Sequence, residues 1–431
     1  MDSKIQKWDI IIAGGGISGT LAAKRLCEQY PKKNILLIER ETQLGGSYRS
    51  TSTDHWGGPL AFMPHDLFQT LLQGFAAPES QHTTQLSSIH HISGGQKTVL
   101  NSCQFEQIAT WLPVVGKSLQ GEWDQLKKGL YDSIAEKSLQ KQMTLPKKGS
   151  GAAVLDFLGP LCGLTDPWGS SPLCLRERLR SFREPLQYIH WSSFLEKQLH
   201  TCTNLSIHKK SLIVHCEKAD TWMLHTSHGL QETPYMVIAQ NPWTTLSWLP
   251  EPLWPSNILN YTLKTRPTSR ISISSRVQNP ESLPQRAFSA AESTLMEVHD
   301  KIATWSIPMD YEISLEAPKA VKSVARVKRG SKKILKHFED VVLEDEHIAL
   351  QPTAWGFPKL PKEHILAERH LKKTAFPDIA FCGRAYGFSQ QEGQHLIDSL
   401  MSATTQISEL SEVQNAPRRE SPCVENTISA C

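Results

Sequence analysis

The sequence predicts an α/β protein of two domains, one of them assembled from segments that lie far apart along the chain. Three observations carry this. A strand, a glycine-rich turn and a helix are legible at residues 8–30, and a second unit of strand, glycine and helix begins at residue 378. The 431 residues also exceed a single domain of about 150.

Composition narrows the class. Lys plus Arg number 46 against 43 for Asp plus Glu, so the net charge of +3 gives no reason to expect a nucleic-acid partner. An apolar fraction of 39% with 12 Trp excludes a collagenous, coiled-coil or wholly disordered chain and points to an aromatic-rich core. No window approaches the run of about 20 apolar residues that a membrane-crossing helix needs, and Met1 to Lys7 is too polar to open a secretory signal. The expectation is a cytoplasmic protein. Nine cysteines (27, 103, 162, 174, 202, 216, 382, 423 and 431) include no C-x-x-C, so neither a metal site nor a disulfide framework is indicated, and reduced, buried thiols are expected.

The first unit is the most informative. Trp8 to Ala13 is an apolar, β-branched run that stops at three glycines, and Gly19 to Tyr30 continues in good helix formers. The turn holds Gly14-x-Gly16-x-x-Gly19, enclosing Ile17 and Ser18. Such glycines permit a tight turn, a close approach of backbone to a pyrophosphate, and helix-on-strand packing. The phosphate would sit on the helix N-terminus, where N–H groups lack intrahelical partners and the dipole is positive. A second strand, Asn34 to Glu39, ends in an acid placed to accept from ribose hydroxyls. An acid at this point disfavours a 2′-phosphate, which leaves FAD or NAD.

Residues after Glu39 bear on that choice. Arg40-Glu41-Thr42-Gln43-Leu44-Gly45-Gly46-Ser47 resembles the E-x-x-x-x-x-GG signature of the flavin amine oxidase superfamily, which includes phytoene desaturases and protoporphyrinogen oxidases. His55-Trp56-Gly57-Gly58-Pro59-Leu60-Ala61-Phe62 is similar to that superfamily's glycine-containing strand, with a helical pattern at Leu67, Leu71 and Leu72 after it. Two positions depart from the pattern: His55 stands where an Asp is usual, and Ser47 follows the Gly-Gly pair where the family has Arg, Arg49 lying two residues on.

Near the other end, Asp378 to Phe381 reads as a buried strand running into Cys382-Gly383-Arg384-Ala385-Tyr386-Gly387, with a helix from about Glu392 and Gly393 to Ile407. This resembles the superfamily's closing FAD motif, whose helix N-terminus would stabilise negative charge on the reduced flavin. Arg384 stands where many members have an acid, and UDP-galactopyranose mutases often show Gly-Arg there. Cys382 reads as a small buried thiol rather than a covalent flavin attachment.

The resemblance implies a Rossmann-like FAD-binding domain formed discontinuously from residues 1–60, 191–245 and 375–407, with a mixed α/β substrate-binding domain from 61–190 and 246–374. A helix at Phe194 to Leu199 and strands at 205–207, 212–216, 222–226 and 235–239 would return the chain to the FAD domain. The implied cofactor-binding residues are Gly14, Gly16, Ile17, Ser18, Gly19, Glu39, Arg40, Gly45, Gly46, Ser47, Gly57, Gly383, Arg384, Glu392 and Gly393, with FAD as cofactor and a small molecule as substrate. The implied activity is that of an FAD-dependent oxidoreductase removing hydride from a small or hydrophobic organic substrate. Alternatives are a non-redox flavoenzyme resembling UDP-galactopyranose mutase or lycopene cyclase, and a catalytically silent FAD-binding relative. The mutase reading lacks clear sugar-nucleotide arginines beyond Arg176, Arg178, Arg180 and Arg183.

No catalytic side chain is assignable, as flavin chemistry resides on the cofactor. Trp305, Trp355, Phe357 and Tyr386 are candidates for a pocket lining or for core. Lys319 to Lys336 carries eight basic residues in 18. It reads as a solvated helix face with Val321, Val324, Val327, Ile334 and Leu335 as its buried stripe, and Gly330 as a break. With the apolar stretch Gly151 to Leu164 it leaves peripheral membrane contact open. Gly149-Ser150-Gly151 reads as a loop, and residues 408–431 as a disordered tail.

Overall fold

The computed structural model describes residues 5–46, 50–52, 55–56, 63–64, 69, 75, 81–84, 88–101, 186–189, 191–254, 259, 263, 267–299, 301–356, 378–383, 386, 401 and 403–407. In chain order the first elements are β1 (Gln6–Lys7), β2 (Ile10–Ala13), α1 (Ile17–Gln29) and β3 (Ile35–Ile38). Short strands follow: β4 (Ser50–Ser52), β5 (His55–Trp56), β6 (Met63–Pro64) and β7 (Gln81–Thr84), then β8 (Ser88–Ser93) and β9 (Gln96–Asn101). The middle of the chain supplies β10 (Leu186–Ile189), α2 (Trp191–Leu199), β11 (Leu205–His208), β12 (Ile213–Lys218), β13 (Trp222–Thr226), β14 (Gly229–Thr233), β15 (Tyr235–Ile238) and α3 (Pro242–Leu246). Last come β16 (Pro267–Val277), β17 (Arg286–Ser289), β18 (Thr294–His299), β19 (Ile302–Asp310), α4 (Tyr311–Leu315), α5 (Ala317–Leu335), β20 (Leu343–Gly356) and β21 (Ile379–Phe381).

A five-stranded sheet in the order β11-β3-β2-β15-β21 forms one half, and all its pairings are parallel. Parallel strands covered on both faces read as unbroken apolar runs, and here Ile10 and Ile12 join the cluster under α1 and α2 while Ile11 and Ala13 join the one on the opposite face. Ile11, Ile12, Leu21, Leu26 and Ile35 are fully buried, and each such side chain contributes about 1.5–3 kcal/mol. A second, four-stranded sheet (β1-β14-β13-β12) lies on that opposite face, where Trp222 and Leu224 share a cluster with Ile11 and Ile238. β14 was not read from the sequence, because Gly229 to Thr233 is too polar to show a strand period.

A seven-stranded sheet, β20-β16-β19-β18-β17-β8-β9, forms the other half. Its two faces differ. Ile271, Ile273, Ala287, Met296, Ala303, Trp305 and Ile307 face α5 and form one core with Val327 and Ile334. Residues at the alternate positions are polar yet buried: Arg270, Ser272 and Ser274 on β16, Thr304 and Ser306 on β19, Glu297 on β18 and Arg286 on β17. Arg286 Nε donates to Glu297 Oε1 at 3.1 Å with both side chains 4% exposed. Burial lowers the Arg286 pKa, with Glu297 opposing the shift.

α5 corrects two expectations. Val321 is 67% exposed and stands outside the buried stripe, which runs instead through Val324, Val327, Gly330 and Ile334. Gly330 does not break the helix but faces the sheet: a Cβ there would lie 2.4 Å from Thr294 Cβ and 2.1 Å from its Oγ1. Part of the basic run is tied down within the protein, Lys328 to Glu346 and Arg329 and Lys333 to Glu292, which lowers the Glu292 pKa through its bonds to Lys333 and Arg329 against some desolvation. No described helix is long and apolar enough to cross a membrane. Residues 149–164, Arg176 to Arg183 and 408–431 lie outside the described residues.

In an exposed helix Gly→Ala stabilises by up to about 1 kcal/mol. At Gly330 the clash with Thr294 outweighs that gain, and overpacking of this kind costs about 1–3 kcal/mol. Gly330→Ala should therefore lower the melting temperature measured by differential scanning fluorimetry, whereas a raised one would show that α5 does not sit this close to β18.

Candidate cofactor site

Parallel sheets bind ligands beyond the carboxyl ends of their strands, where the chain turns from one side of the sheet to the other. That point lies between β2 and β15, since β3 extends the sheet one way and β21 the other. Gly14 follows β2, Glu39 follows β3, Ala239 and Gln240 follow β15, and Cys382 and Gly383 follow β21. The four chain segments thus deliver their terminal residues to one edge.

The three consecutive glycines have different neighbours. Gly14 has φ +109° and donates its N–H to Ile38 O at 2.8 Å, and a Cβ on it would meet Gln240 Cγ at 2.8 Å. A Cβ on Gly15 would strike Leu44 Cδ2 at 2.6 Å and Glu39 Oε2 at 2.9 Å. Gly19 packs hardest, with a Cβ falling 1.8 Å from Gly14 O. Gly16 is unlike these: among the described residues the nearest atom to its Cβ would be Gly46 Cα at 3.7 Å, an ordinary contact. It caps α1 in extended conformation, with no side-chain cap and no acid in the first turn. The first N–H groups of this 13-residue helix therefore receive no side-chain cap from Gly16.

Glu39 is turned inward. It is 7% exposed, Oε2 accepts from the Gly15 N–H at 2.7 Å, and Oε1 accepts from the Glu41 N–H at 2.8 Å. A carboxylate offers about four lone-pair sites, so the clamp on the glycine loop leaves capacity for further donors. Gly15 is the residue of this turn that the motif spacing passes over, and its signal is the unbroken Gly14-Gly15-Gly16 run.

The second glycine pair meets the first. Gly45 forms a parallel bridge with Gly16 and donates to Gly15 O at 2.9 Å. Gly46 adopts φ +58°, and a Cβ there would press on Gly16 Cα at 3.0 Å. Gly383, at φ +134°, comes from the far end of the chain: its Cβ would lie 3.5 Å from Ser18 Oγ, and Cys382 Sγ donates to Ser18 O at 3.7 Å. Gly14, Gly16, Ser18, Gly19, Glu39, Gly45, Gly46 and Gly383 are thus gathered at the start of α1. Ile17 lies there too, but its side chain is buried in the core, so only its backbone faces outward. The Arg40 side chain is exposed and paired with Glu41 at 3.2 Å. Ser47, Gly57, Arg384, Glu392 and Gly393 fall outside the described residues, as does Phe357.

Of the aromatic candidates, Trp305 is core beneath α5 and Tyr386 is core against Phe381, their ring centroids 5.1 Å apart. Burial pushes the Tyr386 phenol above its ordinary range.

Residues 12–85 match the NAD(P)-binding Rossmann-like domain family. Among solved structures, the cyclohexylamine oxidase of Brevibacterium oxydans IH-35A superposes with a TM-score of 0.69 at 13% identity, over 94% of this chain and 99% of that one. The chain shares the fold of that oxidase. Wild-type putrescine oxidase bound to putrescine shares this fold at a TM-score of 0.64 and 13% identity, over 95% of this chain and 100% of that one. So does a protein of Exiguobacterium sp. 255-15 assigned as a protoporphyrinogen oxidase, at 0.63 and 15% identity over 96% and 100%. An uncharacterized protein of Acanthamoeba polyphaga mimivirus is 50% identical over 68 residues, which is 14% of this chain and 13% of that protein. The chain therefore matches only a small part of that relative's length.

The glycines differ in what a side chain would disturb. Gly19→Ala should destabilise the protein outright, because the obstacle is backbone. Gly16→Val should leave the melting temperature nearly unchanged while flavin content falls at least about tenfold, a change of about 1.4 kcal/mol or more in binding. Equal flavin occupancy in Gly16→Val and wild type would remove Gly16 from the site.

Proposed function

We propose that this protein is an FAD-dependent oxidoreductase that removes hydride from a small or hydrophobic organic substrate, with residues 1–60, 191–245 and 375–407 as its FAD domain and 61–190 and 246–374 as its substrate domain. The observation that carries the reading is the meeting of three glycine segments, Gly14 to Gly19, Gly45 and Gly46, and Gly383, at one uncapped helix N-terminus. A mononucleotide site needs only the first of these. An extended dinucleotide explains why a second Gly-Gly turn and a glycine from the far end of the chain are held against it.

The residues fit FAD. The α1 N-terminus and Gly16 would receive the pyrophosphate, Glu39 the adenosine ribose, and the segment at Gly383 the ribityl side. When bound, FAD would supply the hydride acceptor. The protein's part is to hold the phosphate on backbone N–H groups, orient the ribose, and shield the reacting edge from water. Structural neighbours named for cyclohexylamine and putrescine support an amine among candidate substrates. The polar buried face of the seven-stranded sheet offers hydrogen-bonding groups that a polar donor would use.

The test is the absorbance spectrum of the purified protein, followed by heat release and chromatography of the cofactor. FAD is expected, together with bleaching by a reducing substrate in the absence of oxygen. A protein that carries no flavin after reconstitution with FAD would overturn the reading.

A further inference from the structure

β21 is the shortest strand of the parallel sheet and lies at its edge, yet it leads into one part of the candidate cofactor site. Among the described strands it pairs with β15 alone, Ile379, Ala380 and Phe381 standing opposite Met236, Val237 and Ile238. Its side chains alternate between two apolar clusters, Ile379 and Phe381 in one, Ala380 and Cys382 in the other. Such alternation excludes a slip of one residue, which would exchange the faces, but a slip of two residues preserves them. That slip would carry Gly383 about 6.6 Å along the strand direction, away from Ser18. What separates the two registers is a charge. Asp378, directly before β21, holds Oδ2 2.5 Å from the Nζ of Lys218, the last residue of β12, and the two side chains are 21% and 15% exposed. The Lys218 ammonium also donates to Asp220 O at 3.2 Å and lies 5.1 Å from the ring centroid of the fully buried Trp222. Asp378 Oδ1 is buried and has no hydrogen-bond partner among the described residues. An ion pair this far out of water is weakly screened by salt, and leaving one member alone is costly.

We propose that Lys218 and Asp378 are positioning residues for the cofactor: their ion pair locks the register of β21 and so sets Cys382 and Gly383 against Ser18 at the start of α1. The proposal rests on the FAD reading above. The line of contacts is continuous. β12 belongs to the four-stranded sheet, whose Trp222 and Leu224 pack in the same cluster as Ile379 and Phe381, so Lys218 is anchored to a body separate from β21 itself. From Asp378 the strand runs to Cys382, whose N–H donates to Ile238 O at 2.8 Å and whose Sγ donates to Ser18 O at 3.7 Å. Gly383 follows at φ +134°. Both charges sit at the amino end of β21, on the far side of the strand from Gly383, so they act on the site through the strand and not by contact. The rest of the cradle is held otherwise. Gly14, Gly15 and Glu39 are fastened by hydrogen bonds among β2, β3 and the glycine turn. Loss of the ion pair therefore divides the ligand: the grip on its adenosine diphosphate portion stays, and the grip on its ribityl and flavin portion falls.

The test titrates the full-length protein, freed of bound nucleotide, with FAD and separately with ADP, and reads both dissociation constants by isothermal titration calorimetry. ADP would reach the α1 N-terminus and Glu39 but not the segment at Gly383. Lys218→Met keeps the aliphatic stem over Trp222 and removes the charge, and it should weaken FAD binding about tenfold while ADP binding stays within about twofold of wild type. Asp378→Asn should give the same split. Lys218→Arg retains the charge and should restore the wild-type ratio of the two constants. Unchanged FAD affinity in Lys218→Met, or a parallel loss of FAD and ADP that marks a role in folding alone, would overturn the proposal. Wild-type protein that binds ADP but not FAD would overturn the FAD reading first, and the proposal with it.

Discussion

The buried carboxylate of Glu39 is the interaction on which the parallel-sheet half rests. By accepting from the N–H groups of Gly15 and Glu41 it fastens the end of β3 to the turn after β2. A charged acceptor makes these bonds stronger than neutral ones, and their removal would leave two backbone donors unsatisfied beside a core. Because Gly15 is fixed this way, Gly45 can bridge Gly16, and α1 begins at a defined point with its first donors outward. The same residue that the sequence assigns to ribose is thus also the clamp that holds the glycine turn after β2.

How much of this is legible in the sequence depends on how local the cause is. The first β, α, β unit is readable because its periods are long and its punctuation strong: Ile10 to Ala13, three glycines, then a helix through Gln29. The strand at Ile379–Phe381 is readable for the same reason. What the sequence hides are pairings across long separations. Nothing local tells Gly229 to Thr233 that it lies between β1 and β13, or that Gly383 will rest on Ser18. Gly330 misleads for a related reason. Glycine in a helical pattern usually signals weakness, and only the position of Thr294, on a strand far upstream, shows that it is there for closeness.

The seven-stranded sheet shows how one element serves two environments. Its strands alternate, so the residues beneath α5 are aliphatic and aromatic, while the opposite side gathers serines, threonines and the Arg286–Glu297 pair. Breaking a buried pair of this kind by removing one partner costs about 3–5 kcal/mol, although replacing both with apolar residues can be nearly neutral.

The arrangement of the parallel sheet also bears on how the protein is made. Its central strands β2 and β15 come from residues 10–13 and 235–238, and its last, β21, from 379–381. Synthesis proceeds from the N-terminus, so the ribosome must deliver residues 239–378 before Met236 to Ile238 can receive its outer neighbour. Until then an apolar edge stays unpaired, the condition under which nascent chains are held by chaperones or associate with one another. A sheet stitched together from strands so far apart in sequence gains its completeness at the cost of an extended, vulnerable adolescence.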